Sequence, residues 1–250
     1  MNLLKYQIAS LISATYPTQK KHKHTRRVLM YHSISQRSNQ VPEIYAIPEQ
    51  LFIQHIDFLE SQQNLTGYDR IVPFSSSSTT GISITFDDGY SDTLSIGAKL
   101  LCAKSIPFTV FVTPKNIESG EANYLNKNQL IELSKMPGVT IGSHGLSHLH
   151  LADLPDAQAR TELVESKNWI EQVIGKPIDT MSYPHGSFNL DVMQMTSDAG
   201  YRFAATSQWG FYRVGENQLA IPRIDVWGHD TSKSLNQKLR GKWNWIAGLI

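Results

Sequence analysis

Three absences in the sequence exclude whole classes of protein. Cys102 is the single cysteine among 250 residues, so no disulfide framework can form within the chain, and a lone thiol fits a reducing compartment. The 23 basic and 22 acidic residues leave a net charge of +1, which gives no overall field to attract nucleic acid or an anionic membrane. No apolar run approaches the roughly 18 residues that span a bilayer. We therefore expect a cytoplasmic globular protein with no nucleic-acid partner.

The first residues, MNLLKYQIASLISATYP, are mildly apolar. Lys5, Gln7 and Ser10 interrupt them, which favours a weak amphipathic helix over a cleaved signal. The basic run KKHKHTRR follows at residues 20–27. Because short basic runs are usually solvated, we interpret this one as a solvated segment and keep contact with a membrane surface as the alternative.

We expect the chain to divide into an N-terminal extension at residues 1–27, a main domain at 28–230 and a C-terminal helical tail at 231–250. The end of the tail, LRGKWNWIAGL at residues 239–249, predicts an amphipathic helix. Its two tryptophans, Trp243 and Trp245, leave peripheral contact with a membrane interface open.

Short apolar runs rich in β-branched or aromatic residues recur along the main domain and predict strands. They cover residues 28–31, 82–86, 108–112, 139–141, 203–205 and 221–226. Apolar residues at helical spacing lie between these runs, for example Leu94, Ala98 and Leu101, and then Ala159, Leu163, Ile170 and Ile174. Strands that alternate with helices favour a mostly parallel sheet, either doubly wound or closed into a barrel.

Catalytic groups in such folds lie at the carboxyl ends of the strands. The residues that close or follow the predicted strands are His32, Asp87, Asp88, His144, Tyr183, Pro184, His185, Arg223 and Asp225. We expect them to gather on one rim.

Two histidines in IGSHGLSHLHL, His144 and His148, are spaced four residues apart. If the chain turns into a helix there, they share one face and can ligate a metal ion through neutral imidazoles. A carboxylate from elsewhere would complete a three-ligand site with an open position for water. His150 would then point to solvent or to a supporting position. Surface histidines at a loop-helix junction are the alternative.

The adjacent carboxylates of Asp87 and Asp88 follow a predicted strand directly. Asp-Asp-Gly is by itself an ordinary turn. Successive side chains leave an extended backbone on opposite sides, so one aspartate can hold a metal while the other faces the attacking water. Adjacent residues cannot span the roughly 5 Å or more between the carboxyl groups of a glycosidase. The sequence also contains no G-x-S-x-G elbow, P-loop or G-x-G-x-x-G.

TFDDGY at residues 85–90 and SHGLSH at 143–148 resemble, in this order, the first two motifs of the polysaccharide deacetylase family, the NodB-homology carbohydrate esterases. SYPHG at 182–186 is similar to a variant of the third motif. The resemblance covers residues 28–226, and it implies an α/β fold, a distorted (β/α)7 barrel with its groove at the strand ends. VLMYHSI at 28–34 resembles the branch that acts on exopolysaccharide or poly-N-acetylglucosamine.

The resemblance also implies roles for individual residues. Asp87 would be the general base, and the backbone amide of His185 would help to bind the oxyanion beside Tyr183 and Pro184. Aromatic residues late in the chain are candidate sugar-stacking walls, although aromatic side chains also fill cores. These are Trp209, Phe211, Tyr212 and Trp227, of which we assign Trp227 to the substrate site. Zinc is the expected metal, with cobalt, nickel or manganese as other candidates, and its implied ligands are Asp88, His144 and His148.

The chain departs from the family pattern at two points. The third motif commonly carries an arginine that orients the base, but Ser182 stands here, and Arg223 in PRIDV is the substitute that we expect to pair with Asp87. The last motif supplies a histidine as general acid, for which His32 and His229 are the candidates. We favour His32, because a polar ring closing an apolar strand is harder to explain structurally.

The implied activity is the metal-dependent removal of N-acetyl groups from N-acetylhexosamine units of a polysaccharide or its glycan precursor. Two alternatives stay open. One is hydrolysis of another small amide or acetyl ester on the same scaffold. The other is a catalytically impaired carbohydrate-binding module, which the departure at Ser182 keeps in view.

Overall fold

Seven parallel strands close into a barrel in the described part of the chain. The computed structural model describes residues 3–17, 25–34, 41–63, 70–76, 78, 80–213 and 215–248. The strand order around the barrel is β1-β2-β3-β4-β5-β6-β8, and β2 pairs in turn with β1. The short β7 adds to β1 in the antiparallel direction. The predicted (β/α)7 barrel is confirmed. The strands are β1 Thr25–Tyr31, β2 Gly81–Phe86, β3 Phe108–Val112, β4 Val139–Ser143, β5 Thr180–Ser182, β6 Phe203–Trp209, β7 Tyr212–Arg213 and β8 Ile221–Asp225.

Helices fill most of the connections between successive barrel strands, as expected of β-α-β units. The predicted stripe along Leu94, Ala98 and Leu101 starts in a wide π-type segment, Thr93–Ala98, that continues as an α-helix. The helices are α1 Leu3–Thr15, α2 Glu49–Gln63, α3 Lys99–Ala103, α4 Pro114–Glu118, α5 Lys127–Lys135, α6 Asp156–Ile174, α7 Leu190–Asp198 and α8 Ser232–Leu239. Gly175 ends α6 in the left-handed conformation, as the Gly-Lys-Pro stop predicts.

The register of the strands sets the level at which side chains leave the barrel. Residues of β2 and β3 are buried along their whole length, which is typical of parallel strands covered on both faces. Tyr31 at the end of β1 pairs with Phe86 at the end of β2, and the Asp87 N–H donates to the Tyr31 carbonyl at 3.0 Å. His32 and Asp87 therefore emerge side by side.

The same alignment occurs two strands further on. Val112 of β3 pairs with Ser143 of β4, and the His144 N–H donates to the Val112 carbonyl at 2.8 Å. Since parallel strands all point the same way, the residues after β1, β2 and β4 meet at one end of the barrel.

The end of the basic run is buried in the barrel, which differs from the solvated state that we predicted for the run. β1 begins at Thr25, so Arg26 and Arg27 are barrel residues, each 1% exposed. The Arg26 guanidinium lies over the Tyr212 ring, 5.0 Å from its centroid, and donates to the Ser76 carbonyl at 2.7 Å. Arginine can be buried in this way because its stem is apolar and its head finds an acceptor. The rest of the run, residues 20–24, lies outside the described residues.

The predicted amphipathic helix at 239–249 is wrong. α8 ends at Leu239, and a 3₁₀ turn at Asn244–Gly248 follows. Trp243 is fully buried and stacks on Tyr6 of α1 with ring centroids 5.6 Å apart, because its large apolar ring completes the core there. Trp245 is half-buried and donates its indole N–H to Ser13 Oγ at 2.9 Å. Residues 249–250 lie outside the described part.

Over the described ranges, no helix combines the length and apolar character needed to cross a bilayer.

Candidate active site

A cavity of about 460 Å³ lies where the barrel strands end. It brings together residues in or directly after five strands, β1, β2, β4, β6 and β8, and residues from the segments that connect the strands, including α4. The residues lining it are Met30, His32, Pro42, Tyr45, Asp87, Asp88, Tyr90, Asn116, Tyr124, His144, His148, His185, Ser207 and Asp225.

One carboxylate and two imidazoles converge in this cavity. Asp88 Oδ1 lies 3.4 Å from His144 Nε2 and 3.2 Å from His148 Nε2. One ligand atom from each of these three residues falls within 4.8 Å of the others. His144 is fixed by a hydrogen bond of 2.8 Å between its Nδ1 and the Ser182 carbonyl, which requires Nδ1 to carry the proton and leaves Nε2 to face Asp88.

This group fits a divalent metal ion. Asp88 Oδ1 is buried and makes no hydrogen bond with any described residue, although two ring nitrogens lie close to it. Two imidazole nitrogens and one carboxylate oxygen are the donor set of three-ligand zinc sites, and imidazole also suits other first-row metals. Burial alone would raise the pKa of Asp88, but the two histidines outweigh it and hold that pKa well below its usual range.

The histidines meet in a different way from the one predicted. The segment from His144 to His148 is a loop, with Gly145 at φ 69° and His148 at φ 59°. The chain does not turn into a helix there, so the condition under which the two rings would share a helix face is not met. A turn through the left-handed region brings the rings together, with centroids 4.9 Å apart.

The two aspartates also separate by a different route. Asp88 has φ 72°, so the backbone is left-handed there and not extended. Among the described non-glycine residues, four have positive φ, and three of them, Asp88, His148 and His185, line this cavity. Such conformations cost about 1–3 kcal/mol each and persist where the surroundings impose them, often at functional sites.

Asp87 is held by Arg223. Two guanidinium N–H groups donate to the two carboxylate oxygens, each at 2.7 Å, and both side chains are almost completely buried. Ser182 Oγ accepts from the same guanidinium at 2.8 Å and donates to Asp87 at 3.2 Å. Burial would raise the pKa of Asp87, but Arg223 and then His144 outweigh burial and hold the pKa below its ordinary value.

The two candidate acids lie in different surroundings. His32 lines the cavity, its ring centroid is 4.4 Å from that of Tyr45, and its Nδ1 is buried with no hydrogen-bond partner among the described residues. His229 packs against Tyr6, at 5.8 Å between ring centroids, and is not one of the described residues that line the cavity. The structure brings His32 to the site and leaves His229 outside it.

The third motif contributes one side chain to the cavity. His185 donates from Nε2 to the His148 carbonyl at 3.2 Å and stacks on His150 at 4.0 Å between centroids. Tyr183 is buried and donates its hydroxyl to the Leu219 carbonyl at 3.0 Å, and Pro184 is buried as well. Neither is among the described residues that line the cavity, so their position argues against direct substrate contact.

Trp227 also lies away from the cavity. It is 4% exposed, with the Lys238 ammonium 3.7 Å from its ring centroid. Trp209, Phe211 and Tyr212 are buried in the hydrophobic cores. The expectation that these aromatic residues form walls of the substrate site is corrected, since the core takes up their rings.

Three tyrosines that sequence reasoning missed form the aromatic part of the cavity lining. Tyr90 and Tyr124 stack with centroids 5.2 Å apart and planes at 16°, and Tyr45 covers His32. Burial and the nearby Asp88 charge raise the pKa of Tyr90, so its hydroxyl stays protonated. Tyr90 directly follows Asp-Asp-Gly, which is a usable signal, whereas Tyr45 ends a 3₁₀ turn and Tyr124 lies in a loop, and neither belongs to a motif.

A parallel barrel that brings a buried carboxylate beside a candidate three-ligand metal group at its strand ends has the side chains that hydrolytic chemistry needs. Residues 75–204, just over half of the chain, match the family model described as polysaccharide deacetylase. The chain belongs to that family.

Relatives agree with this assignment. The chain is 28% identical over 208 residues to the Bacillus subtilis protein named putative polysaccharide deacetylase YxkH, covering 80% of this chain and 70% of that one. The Streptococcus pyogenes deacetylase PplD, solved with acetate, superposes with a TM-score of 0.75 at 21% identity, covering 86% of this chain and 98% of that one. IcaB from Ammonifex degensii gives 0.70 at 20% identity, with 88% and 97% covered. The two solved structures show the shared fold.

Proposed function

We propose that the protein is a metal-dependent hydrolase that removes N-acetyl groups from N-acetylhexosamine units of a polysaccharide or its glycan precursor. The observation that carries the proposal is the pairing of Asp87 with Arg223, directly beside the group of Asp88, His144 and His148. A carboxylate kept ionised by arginine next to a metal-binding group is suited to water-dependent cleavage of an amide.

Asp88, His144 and His148 would hold the metal, most simply zinc. A bound divalent metal lowers the pKa of water from about 16 to about 7 and polarises a carbonyl oxygen. Asp87 would take the proton from the attacking water, because Arg223 keeps its carboxylate ionised and fixed in place. The backbone N–H of His185 would donate to the oxyanion that forms as water adds to the carbonyl carbon.

The acyl C–N bond then breaks, and the leaving nitrogen needs a proton. His32 is our candidate donor, because it lines the cavity and its buried Nδ1 has no hydrogen-bond partner among the described residues. His229, in contrast, lies against Tyr6 of α1. Asp225 lines the same cavity as His32. The products are acetate and a free amino sugar, with no covalent enzyme intermediate.

A carbohydrate substrate fits the shape and lining of the cavity. Its volume of about 460 Å³ is in the ordinary range for small-ligand sites. Tyr45, Tyr90 and Tyr124 supply flat apolar faces beside hydroxyl groups, which suits the alternating faces of a sugar ring. The similarity of VLMYHSI to the exopolysaccharide branch supports a poly-N-acetylglucosamine-type glycan.

Hydrolysis of another small amide or acetyl ester is the second candidate, because the same base, metal group and acid would serve it. A binding module without catalysis is less well supported. The serine at position 182 suggested that Asp87 lacks an arginine partner, but Arg223 supplies that partner.

Acetate release tests the proposal. The zinc-loaded protein and its Asp87→Asn variant are incubated with N-acetylglucosamine oligomers, with de-N-acetylated oligomers as the blank and an O-acetylated xylan as the ester substrate. We expect release from the N-acetylated oligomers by wild type only. Release confined to the ester would favour the second candidate, and no release from either would overturn the proposed activity.

A further inference from the structure

Glu162 of α6 is a buried carboxylate for which the proposed chemistry has no use. Its side chain is 4% exposed, and glutamate is seldom buried to that extent without partners. Its partners are two backbone amides: Oε2 accepts from the Leu146 N–H at 2.9 Å and from the Ser147 N–H at 2.8 Å. Both amides lie in the loop between His144 and His148. A single oxygen atom on a helix therefore holds the segment that joins the two histidines.

The rest of this loop is fixed by the barrel and by α4. The His144 N–H donates to the Val112 carbonyl at 2.8 Å, and the Leu146 carbonyl accepts from the Lys115 N–H at 3.1 Å. Gly145 lies against the third motif so closely that a Cβ there would be 3.0 Å from Pro184 Cγ. Consecutive amides that point the same way form a concavity for an anion, and the Glu162 carboxylate fills it.

Glu162 is itself held in register with the strand that carries His144. Ser166, one turn further along α6, accepts a hydrogen bond of 2.8 Å from the hydroxyl of Ser143, the last residue of β4. The Glu162 carboxylate thus connects the face of α6 that packs on β4 with the 144–148 loop. His148 at the end of the loop is in the left-handed conformation, which a histidine keeps only where neighbouring contacts impose it.

We propose that Glu162 is a positioning residue for the metal group, which holds the 144–148 loop so that His148 Nε2 stays within reach of Asp88 and His144. The inference rests on the proposed function, in that it takes these three residues as metal ligands. The acceptor's position matters and not its charge, because both amides share one oxygen and a glutamine carbonyl can occupy the same place.

Zinc affinity of the metal-free protein, measured with zinc alone by competition against a chromophoric chelator, tests the inference without any assay of activity. We expect Glu162→Ala to weaken zinc binding by about 10- to 100-fold, as loss of supporting hydrogen bonds does at other metal sites. Glu162→Gln is expected to bind close to wild type. Glu165→Ala, the same change at an exposed position of α6, is the matched control and is expected to leave the affinity unchanged.

Other outcomes overturn the inference in distinguishable ways. Wild-type affinity in Glu162→Ala contradicts positioning, and an equal loss in Glu162→Gln and Glu162→Ala assigns the effect to charge. Thermal unfolding of the metal-free variants shows which are folded. If Glu162→Ala is not, Glu162→Asp, which retracts the oxygen by one methylene, takes its place, and wild-type affinity in that variant contradicts positioning. Absence of zinc binding in wild type would overturn the metal site of the proposed function and this inference with it.

Discussion

The Asp87 carboxylate and the Arg223 guanidinium form two parallel hydrogen bonds of 2.7 Å in the barrel interior, although 136 residues separate them in the chain. Arg223 comes from β8 and Asp87 from the end of β2, and β1 lies between these strands. Arg223 Nε also donates to the Thr206 carbonyl at 2.9 Å, so the guanidinium is held by β6 as well as by the carboxylate. The orientation of Asp87 is therefore a property of the closed barrel.

Arg223→Lys should impair turnover while sparing zinc binding. Lysine offers a point charge and cannot form the two parallel bonds, so Asp87 loses its fixed orientation. Misplacement of a reacting group by about 1 Å can cost on the order of 100-fold in rate. We expect such a loss in kcat/KM for acetate release with a nearly unchanged zinc affinity. Arg202→Lys, on the exposed surface, is the control. Full activity in Arg223→Lys would show that Arg223 does not orient Asp87.

Arg223→Ala should destabilise the fold as well. It leaves Asp87 buried and unpaired, which costs about 3–5 kcal/mol when one partner of a buried ion pair is removed. The free energy of unfolding in urea measures this loss, and adding Asp87→Asn to Arg223→Ala should recover part of it. A double variant no more stable than Arg223→Ala would show that the pair is not the source of the loss.

The stability of the metal-free protein should fall on the acid side. Because the pKa of Asp87 is lower in the folded protein than in the unfolded chain, its ionised form stabilises the fold above the unfolded value of about 3.9. That contribution is lost as the pH falls through the lower, folded pKa. Unfolding free energies measured from neutral pH downward should drop less steeply in Asp87→Asn than in wild type. Asp153→Asn, at an exposed position, should keep the wild-type slope, and equal slopes in all three proteins would contradict the assignment.

His32→Ala and His229→Ala should differ in kcat. General-acid catalysis contributes roughly 10²- to 10⁴-fold, so loss of His32 should lower kcat by a factor in that range. His229 lies against Tyr6 and should affect kcat little. Steady-state acetate release by the two variants decides between them, and a large loss confined to His229→Ala would reverse our assignment.

Tyr90→Leu should raise KM for N-acetylglucosamine oligomers more than it lowers kcat. The substitution keeps apolar bulk but removes the ring that stacks on Tyr124 beside the cavity. Loss of the stacked contact between this ring and the sugar should cost about 0.5–1.5 kcal/mol of binding free energy, which corresponds to a rise in KM of roughly twofold to tenfold. Trp227→Leu provides the contrast. Because Trp227 lies in the core, its substitution should lower the free energy of unfolding and affect KM less. An unchanged KM in Tyr90→Leu would remove the tyrosines from the substrate site.

The rim of the barrel could be predicted because parallel strands place their carboxyl ends together. That rule, with the motifs around Asp87 and His144, was enough to expect these residues in one place. Local rules failed where the backbone leaves its common conformations: Asp88 and His148 are left-handed, so neither the extended-strand argument nor the helical spacing describes how their side chains converge.

Tertiary packing determined the remaining differences. The sequence predicted a substrate contact for Trp227, but apolar side chains surround the ring and bury it in the core. The same packing buries Trp243, so the 239–249 segment does not form a single helix. Glu162 had a faint signal, since this charged residue lies on the side of α6 that carries the apolar residues Ala159 and Leu163. Its role depends on a loop that only the fold brings to it.

We propose above all that Asp88, His144 and His148 hold a metal ion and that Asp87 acts beside it. Zinc content and acetate release, measured together on wild type, Asp88→Ala and Asp87→Asn after purification and zinc loading, test it most directly. We predict about one zinc per chain in wild type and in Asp87→Asn and little in Asp88→Ala, with acetate release by wild type alone. Equal zinc in all three proteins, or acetate release by Asp87→Asn at the wild-type rate, would contradict it.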